Sequence, residues 1–197
     1  MGIFGKKDTG IFQRLKDEHR EVNSLLDQIE ALGGEDMQEA KDIFAVMQEK
    51  LLAHAKGEEM VVYPRFGQIE SLHELVLEAK EEHQIVEDLL AKLNADELED
   101  NEWMAALKVL KEQIQHHVKE EEGEIFPRAK DEIEARESEQ LATVYLESKG
   151  EATEEEPGES LESLSKADLL VKARELGIES YSRMTKAELI QILSVRR

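Results

Sequence analysis

The sequence predicts an all-α protein: an antiparallel up-down four-helix bundle with a short extra helix, followed by a small C-terminal helical hairpin. Three observations predict it. Of 197 residues, 36% are charged and 40% hydrophobic, with 3 prolines, a composition that suits amphipathic helices. Apolar residues recur at steps of three and four through four long stretches joined by short polar connections. A twelve-residue string also occurs twice, as His54-Ala55-Lys56-Gly57-Glu58-Glu59-Met60-Val61-Val62-Tyr63-Pro64-Arg65 and as His117-Val118-Lys119-Glu120-Glu121-Glu122-Gly123-Glu124-Ile125-Phe126-Pro127-Arg128. Both strings set a Glu four residues after a His, which in a helix puts imidazole and carboxylate on one face.

The first helix is expected over 9–32, capped by Thr9 and stopped by Gly33-Gly34. Its stripe is Phe12, Leu15, Val22, Leu26 and Ile29, with His19 in mid-stripe. The second spans 36–63 through Phe44, Met47, Leu51, His54, Glu58 and Val61, and Pro64 ends or kinks it. Ser71-Leu72-His73-Glu74 reads as a capping box opening a third helix over 72–94, whose stripe of Leu72, Val76, Ala79, Val86, Leu90 and Leu93 contains His83. The fourth, over 102–125, carries Trp103, Leu107, Leu110, Ile114, His117 and Glu121 in phase, and Pro127 closes it. A shorter fifth helix over 130–147 is expected on the outside. The halves repeat: Lys16-Asp17-Glu18-His19 matches Lys80-Glu81-Glu82-His83.

Domains are expected at 1–149, with an acidic Gly/Pro linker at 150–159 and the hairpin at 160–197. Net charge is −21. Residues 160–197 hold seven Lys/Arg and five Asp/Glu, near +2, which leaves about −23 for the rest. Such a surface repels nucleic-acid phosphates and anionic membranes. The absence of Cys excludes disulfides, Cys-ligated zinc, iron–sulfur clusters and c-type haem attachment, and agrees with a cytoplasmic setting. No apolar run approaches a membrane span, and the start, with Lys6 and Lys7, has no signal-peptide core.

Six polar residues lie in the four apolar seams: His19, His54, Glu58, His83, His117 and Glu121. One buried histidine reads as a hydrogen-bonded core residue. Two carboxylates and four imidazoles together need compensating positive charge, and no Lys or Arg stands in these seams. Divalent cations supply it, so these six are the expected metal ligands. Six ligands suit two ions, with Glu58 and Glu121 bridging and the ions about 3.5–4 Å apart. The mixed donors favour iron, with manganese or zinc also compatible. The ferritin-like Glu-x-x-His pattern has only Glu70–His73, without a twin. His116 reads as an outer hydrogen-bonding group, a spare ligand or a surface residue. His73, Glu59 and Glu122 are expected at solvated positions, with a hydrogen bond to the ligands as the alternative for the two glutamates. Tyr63 is expected in the core, or near the metals as a hydrogen-bond donor or redox-active phenol.

The ordered set His, His-x-x-x-Glu, His, His-x-x-x-Glu, with its paired HxxxEE…(Y/F)P strings, resembles the hemerythrin-like, or HHE cation-binding, domain over about residues 9–147. The resemblance implies a non-haem di-iron centre held by the six residues above. It also implies a role in binding oxygen or nitric oxide, in sensing iron, or in oxidative stress. Oxygen-carrying hemerythrins use five histidines, with a His-x-x-x-His pair in the third helix and a final Asp. Here Ala79 and Glu87 flank His83 at that spacing and the last carboxylate is Glu121. This departure favours sensing, storage or peroxide chemistry over reversible oxygen carriage. The string LSKADLLVKARELGIESYSRMTKAELIQIL, Leu164 to Leu193, resembles the N-terminal helical domain of transcription termination factor Rho and SAP-like hairpins. That implies a nucleic-acid or protein partner, bound weakly and with strong salt dependence if it is nucleic acid.

Two function classes follow. One is a di-iron protein that binds or senses oxygen, nitric oxide, peroxide or iron. The other is an adaptor with a structural metal, whose residues 160–197 bind nucleic acid or protein. An oxidase-type enzyme needs a substrate pocket that the sequence does not display.

Overall fold

The computed structural model describes residues 8–95 and 98–150, with residues 166, 184–186 and 189 of the C-terminal part. The chain separates into two units, Met1–Glu151 and Ala152–Arg197. In the second, the Leu189 N–H donates to the Thr185 carbonyl at 3.0 Å and Leu189 is buried. The expected linker and most of the expected hairpin lie outside the described residues.

The first unit is all helix among the described residues. Its segments are α1 (Gly10–Leu32), α2 (Met37–Gly57), α3 (Tyr63–Phe66), α4 (His73–Leu93), α5 (Asp100–Glu120), α6 (Phe126–Glu132) and α7 (Ala135–Ser148). The bundle is formed by α1, α2, α4 and α5, and cross-helix contacts give its sense. Glu18 meets His54 while Glu21 meets Lys50, so α1 and α2 run antiparallel. Glu82 meets His117 while Leu93 meets Trp103, so α4 and α5 do too.

Several helix ends differ from expectation. Thr9 precedes α1 without a side-chain cap, and the chain turns there on the positive φ of Gly10. The Ser71 string forms a short 3-10 turn, Glu70–Leu72, before α4 starts at His73 without a side-chain cap. The start of α5 is at Asp100, where the Glu102 carboxylate accepts from the Glu99 N–H at 3.2 Å.

The two Pro-Arg strings do not end their helices. Each is preceded by a wide π-helical turn, Glu58–Val62 and Glu121–Ile125, after which helix resumes as α3 and α6. The Tyr63 N–H donates to the Glu58 carbonyl and the Phe126 N–H to the Glu121 carbonyl, five residues back. In a continuous α-helix the rings of Pro64 and Pro127 would press on the carbonyls four residues back. The wider turn relieves this, and such turns concentrate at functional sites. Tyr63 and Phe126 thereby share the interior side of Glu58 and Glu121.

The interior has three layers. One apolar cluster holds Ile11, Phe12, Leu15, Val62, Phe66 and Phe126 among others. Another, at the opposite end, holds Leu26, Phe44, Met47, Leu90, Trp103 and Leu110. The histidines and glutamates lie between them.

Candidate metal centre

All six residues singled out in the seams are buried, with Glu58 at 0% and Glu121 at 1% exposure. They converge. His19 Nε2 lies 3.2 Å from His54 Nε2, and His83 Nε2 lies 3.2 Å from His117 Nε2. Each carboxylate reaches both pairs. Glu58 Oε2 stands 3.2 Å from His54 Nε2 and 3.5 Å from His83 Nε2. Glu121 Oε2 stands 3.2 Å from His19 Nε2 and 3.6 Å from His117 Nε2.

The outer nitrogens show why the inner ones point inward. Every Nδ1 meets a carboxylate: His19 with Glu122 at 2.9 Å, His54 with Glu18 at 2.9 Å, His83 with Glu59 at 3.0 Å and His117 with Glu82 at 2.8 Å. A carboxylate on Nδ1–H fixes the tautomer and leaves a bare, more basic Nε2 lone pair facing the centre. Glu59 and Glu122 are therefore not merely solvated faces. Glu18 and Glu82 were missed by sequence reasoning, although the Glu before the first His of each half was visible in the matched Lys-x-Glu-His strings.

Tyr63 lies between the halves. Its hydroxyl donates to Glu121 Oε1 at 2.9 Å, with Glu58 Oε2 at 3.5 Å and His83 Nε2 at 3.3 Å. Burial pushes the phenol well above its usual range, and the Glu121 and Glu58 charges add to this, so it keeps its proton. The matching position is Phe126, whose ring stacks on His19 at 6.1 Å.

The extra helix α7 is more than a cover. The Tyr145 hydroxyl donates to Glu18 Oε2 at 2.6 Å, and Lys149 Nζ donates to Glu18 Oε1 at 2.9 Å. Arg14 Nε also reaches Glu18 Oε1, at 2.6 Å. Burial opposes ionisation of Glu18, but His54, Tyr145 and Lys149 hold its carboxyl well below the usual range. Gly57 makes room for the Tyr145 ring: a Cβ there would lie 2.5 Å from Cε2.

The donor set fits divalent cations. Glu58 Oε1 and Glu121 Oε2 are fully buried and accept no hydrogen bond, a costly arrangement without a counter-charge. The Nε2 atoms face one another in pairs at 3.2 Å. Six carboxylates surround four imidazoles, and among the described residues only Glu18 has Lys or Arg within hydrogen-bonding distance. In the metal-free chain protons fill this role. Burial lowers the His19 and His83 values, but the carboxylates outweigh it and hold His19 up to about 10 and His83 to about 9. The donors form two clusters able to hold metal, His19/His54/Glu58/Glu121 and Glu58/His83/His117, sharing Glu58.

Against the four histidines lies a small cavity of about 30 Å³, lined otherwise mainly by Val22, Leu51, Leu52, Val86, Ile114 and Val118. Of the remaining sequence-singled residues, His73 is exposed, with Nδ1 3.2 Å from the Gly67 carbonyl. His116 is exposed and stands beside Glu82 and Glu120. No helix of the described residues is long and apolar enough to cross a membrane.

Comparison with known proteins agrees with this geometry. The profile of the Rho termination factor N-terminal domain matches residues 160–196. An uncharacterised hemerythrin-like protein of Schizosaccharomyces pombe is 31% identical over 102 residues, covering 51% of this chain and 50% of that protein. A DNA nickase of Nostoc sp. is 28% identical over 149 residues, covering 73% of this chain and 40% of the nickase. The chain thus spans half or less of the length of these relatives. No solved structure matches it significantly. The profile of the hemerythrin HHE cation-binding domain matches residues 10–129, across the whole bundle and its histidine layer, and the chain belongs to that family.

Proposed function

We propose that this chain holds two iron ions in the histidine layer and uses them to bind or sense oxygen, nitric oxide or peroxide. The ligands in this reading are His19 and His54 in one half, His83 and His117 in the other, with Glu58 and Glu121 bridging. The observation that carries it is the inward convergence of four Nε2 atoms whose Nδ1 atoms are all committed to carboxylates. Iron so held would supply redox chemistry and a coordination position for a small ligand. The chain's own groups do the rest. Glu58 and Glu121 offset the cations' charge, and Glu18, Glu59, Glu82 and Glu122 orient the rings. The small cavity beside the histidines, lined otherwise mainly by apolar side chains, is of a size to admit a diatomic or a peroxide. Tyr63 keeps a proton beside Glu121, ready to hydrogen-bond a bound anion.

Metal analysis and optical spectra of the iron-loaded protein test this reading. Two irons per chain, with absorption that changes on exposure to oxygen, nitric oxide or peroxide, are expected. A tightly held zinc that does not exchange, or an iron spectrum indifferent to all three, refutes it.

A second reading concerns residues 160–197, as a module that binds nucleic acid or a protein partner. It is supported by the Rho-type match over 160–196 and by the DNA nickase among the relatives. With about +2 on this part beside −23 elsewhere, nucleic-acid binding would be weak and would fall steeply with salt. Filter binding of the full chain at two salt concentrations, against a chain ending at residue 150, tests it. Equal retention of the two chains rules nucleic acid out.

A further inference from the structure

We propose that Glu82, His116 and Glu120 form a third, peripheral cation site for a borderline divalent metal such as zinc or ferrous iron, on the outer side of the second half of the bundle. His116 and Glu120 repeat the His-x-x-x-Glu spacing of the interior pairs, one residue out of step, so they face outward from α5. Glu82 joins them from α4. His116 Nε2 lies 3.4 Å from Glu82 Oε1 and 3.4 Å from Glu120 Oε1. The three donors fall within 4.8 Å of one another. These gaps are long for hydrogen bonds. Two ligand atoms bonded to a tetrahedral zinc at about 2.0–2.1 Å stand about 3.3 Å apart, which is the spacing found.

The internal duplication provides an independent observation. Glu82 corresponds to Glu18, and each uses Oε2 to accept from an Nδ1–H, of His117 and His54 respectively. On Glu18 the other oxygen carries cations from the chain itself, Lys149 Nζ and Arg14 Nε. On Glu82 the other oxygen faces His116. Among the described residues no lysine or arginine pairs with Glu82 or Glu120. Ala53 and Gly57 stand in the first half where His116 and Glu120 stand in the second. The first half therefore seats an ammonium group at a point where the second half offers three metal donors. The His116 side chain is 56% exposed, so a cation reaches it from solvent. Glu82 ties this site to the interior, since a cation on Oε1 draws charge away from the bond to His117.

The test is a zinc titration of the full chain in competition with a chromophoric chelator, comparing wild type with H116A and E120Q. Wild type should take up one equivalent more than either variant. H73A, which removes a different exposed histidine, should keep that equivalent. Circular dichroism should be unchanged, since His116 is on the surface. Equal zinc uptake by wild type and H116A overturns the proposal, as does an equal loss in H73A. The readout is a difference between variants, so it stands whether or not the interior centre holds metal. Metal retained after gel filtration reports on the interior separately.

Discussion

Gly57→Ala tests how α7 is held against the centre. Gly57 has ordinary helical torsions, φ −62 and ψ −41, so an alanine there meets no backbone objection. Helix propensity alone would favour it by about 0.5–1 kcal/mol. The new Cβ would stand 2.5 Å from Tyr145 Cε2, 3.0 Å from Cδ2 and 3.1 Å from Cζ, inside a fully buried ring. Forcing that ring aside costs about 1–3 kcal/mol as overpacking. Its hydroxyl also loses the 2.6 Å bond to the Glu18 carboxylate, worth about 1.5–3 kcal/mol for a charged acceptor. The losses exceed the gain, and the net expectation is a destabilisation of about 2–4 kcal/mol. Gly123 provides the contrast, because a Cβ there meets nothing within 4 Å. Gly123→Ala should be neutral or stabilise by up to about 1 kcal/mol. Urea unfolding of the metal-free chain, followed by the fluorescence of buried Trp103, measures both. In a Tyr145→Ala background Gly57→Ala should cost little, which closes a double-mutant cycle. A Gly57→Ala protein as stable as wild type, or an equal loss without Tyr145, refutes the reasoning.

Other outcomes follow from the same geometry. Glu59→Gln removes the charge behind His83 at a side chain that is 44% exposed. Folding should be nearly unaffected while metal affinity, read by chelator competition, falls about tenfold; unchanged affinity would deny Glu59 its role. Tyr63→Phe leaves Glu121 Oε1 without its donor and should lower the stability of the metal-free chain by about 1–3 kcal/mol, measured by urea unfolding. In that chain, His19 at about 10 and His83 at about 9 both lie above their ordinary 6.5. Each takes up protons on folding, so the stabilisation is complete below about pH 6.5 and drains away as pH rises through 9 and 10. The melting temperature of metal-free protein should fall across that window, and a flat profile would contradict the assigned carboxylate contacts.

The seams of the bundle, and the six polar residues within them, were legible because period and spacing are local properties. A His in an apolar stripe at steps of three and four has to face the interior of whatever that helix packs against. The paired strings displayed the duplication and placed each Glu one turn from its His. The same local reasoning has Pro64 end or kink its helix and Pro127 close one, and only the closure at Pro127 and the ending at Pro64 fail, because it takes no account of the π turns that carry the chain past both. It also could not rank the many glutamates. Glu18, Glu59, Glu82 and Glu122 look like solvated charges in one dimension, and each bonds a histidine on a different helix. Which helix lies alongside, and at what rotation, decides that pairing.

Residues of one helix have their spacing written in the chain, so the sequence by itself determined the helices, their buried faces and the chemical types of the inner donors. Contacts between helices depend on the packing of whole elements. Only the tertiary structure decided that Tyr145 and Lys149 of α7 reach Glu18, that Gly57 leaves room for the tyrosine ring, and that His116 meets Glu82. These partners stand many residues apart and are joined by how side-chain volumes fill the space between helices.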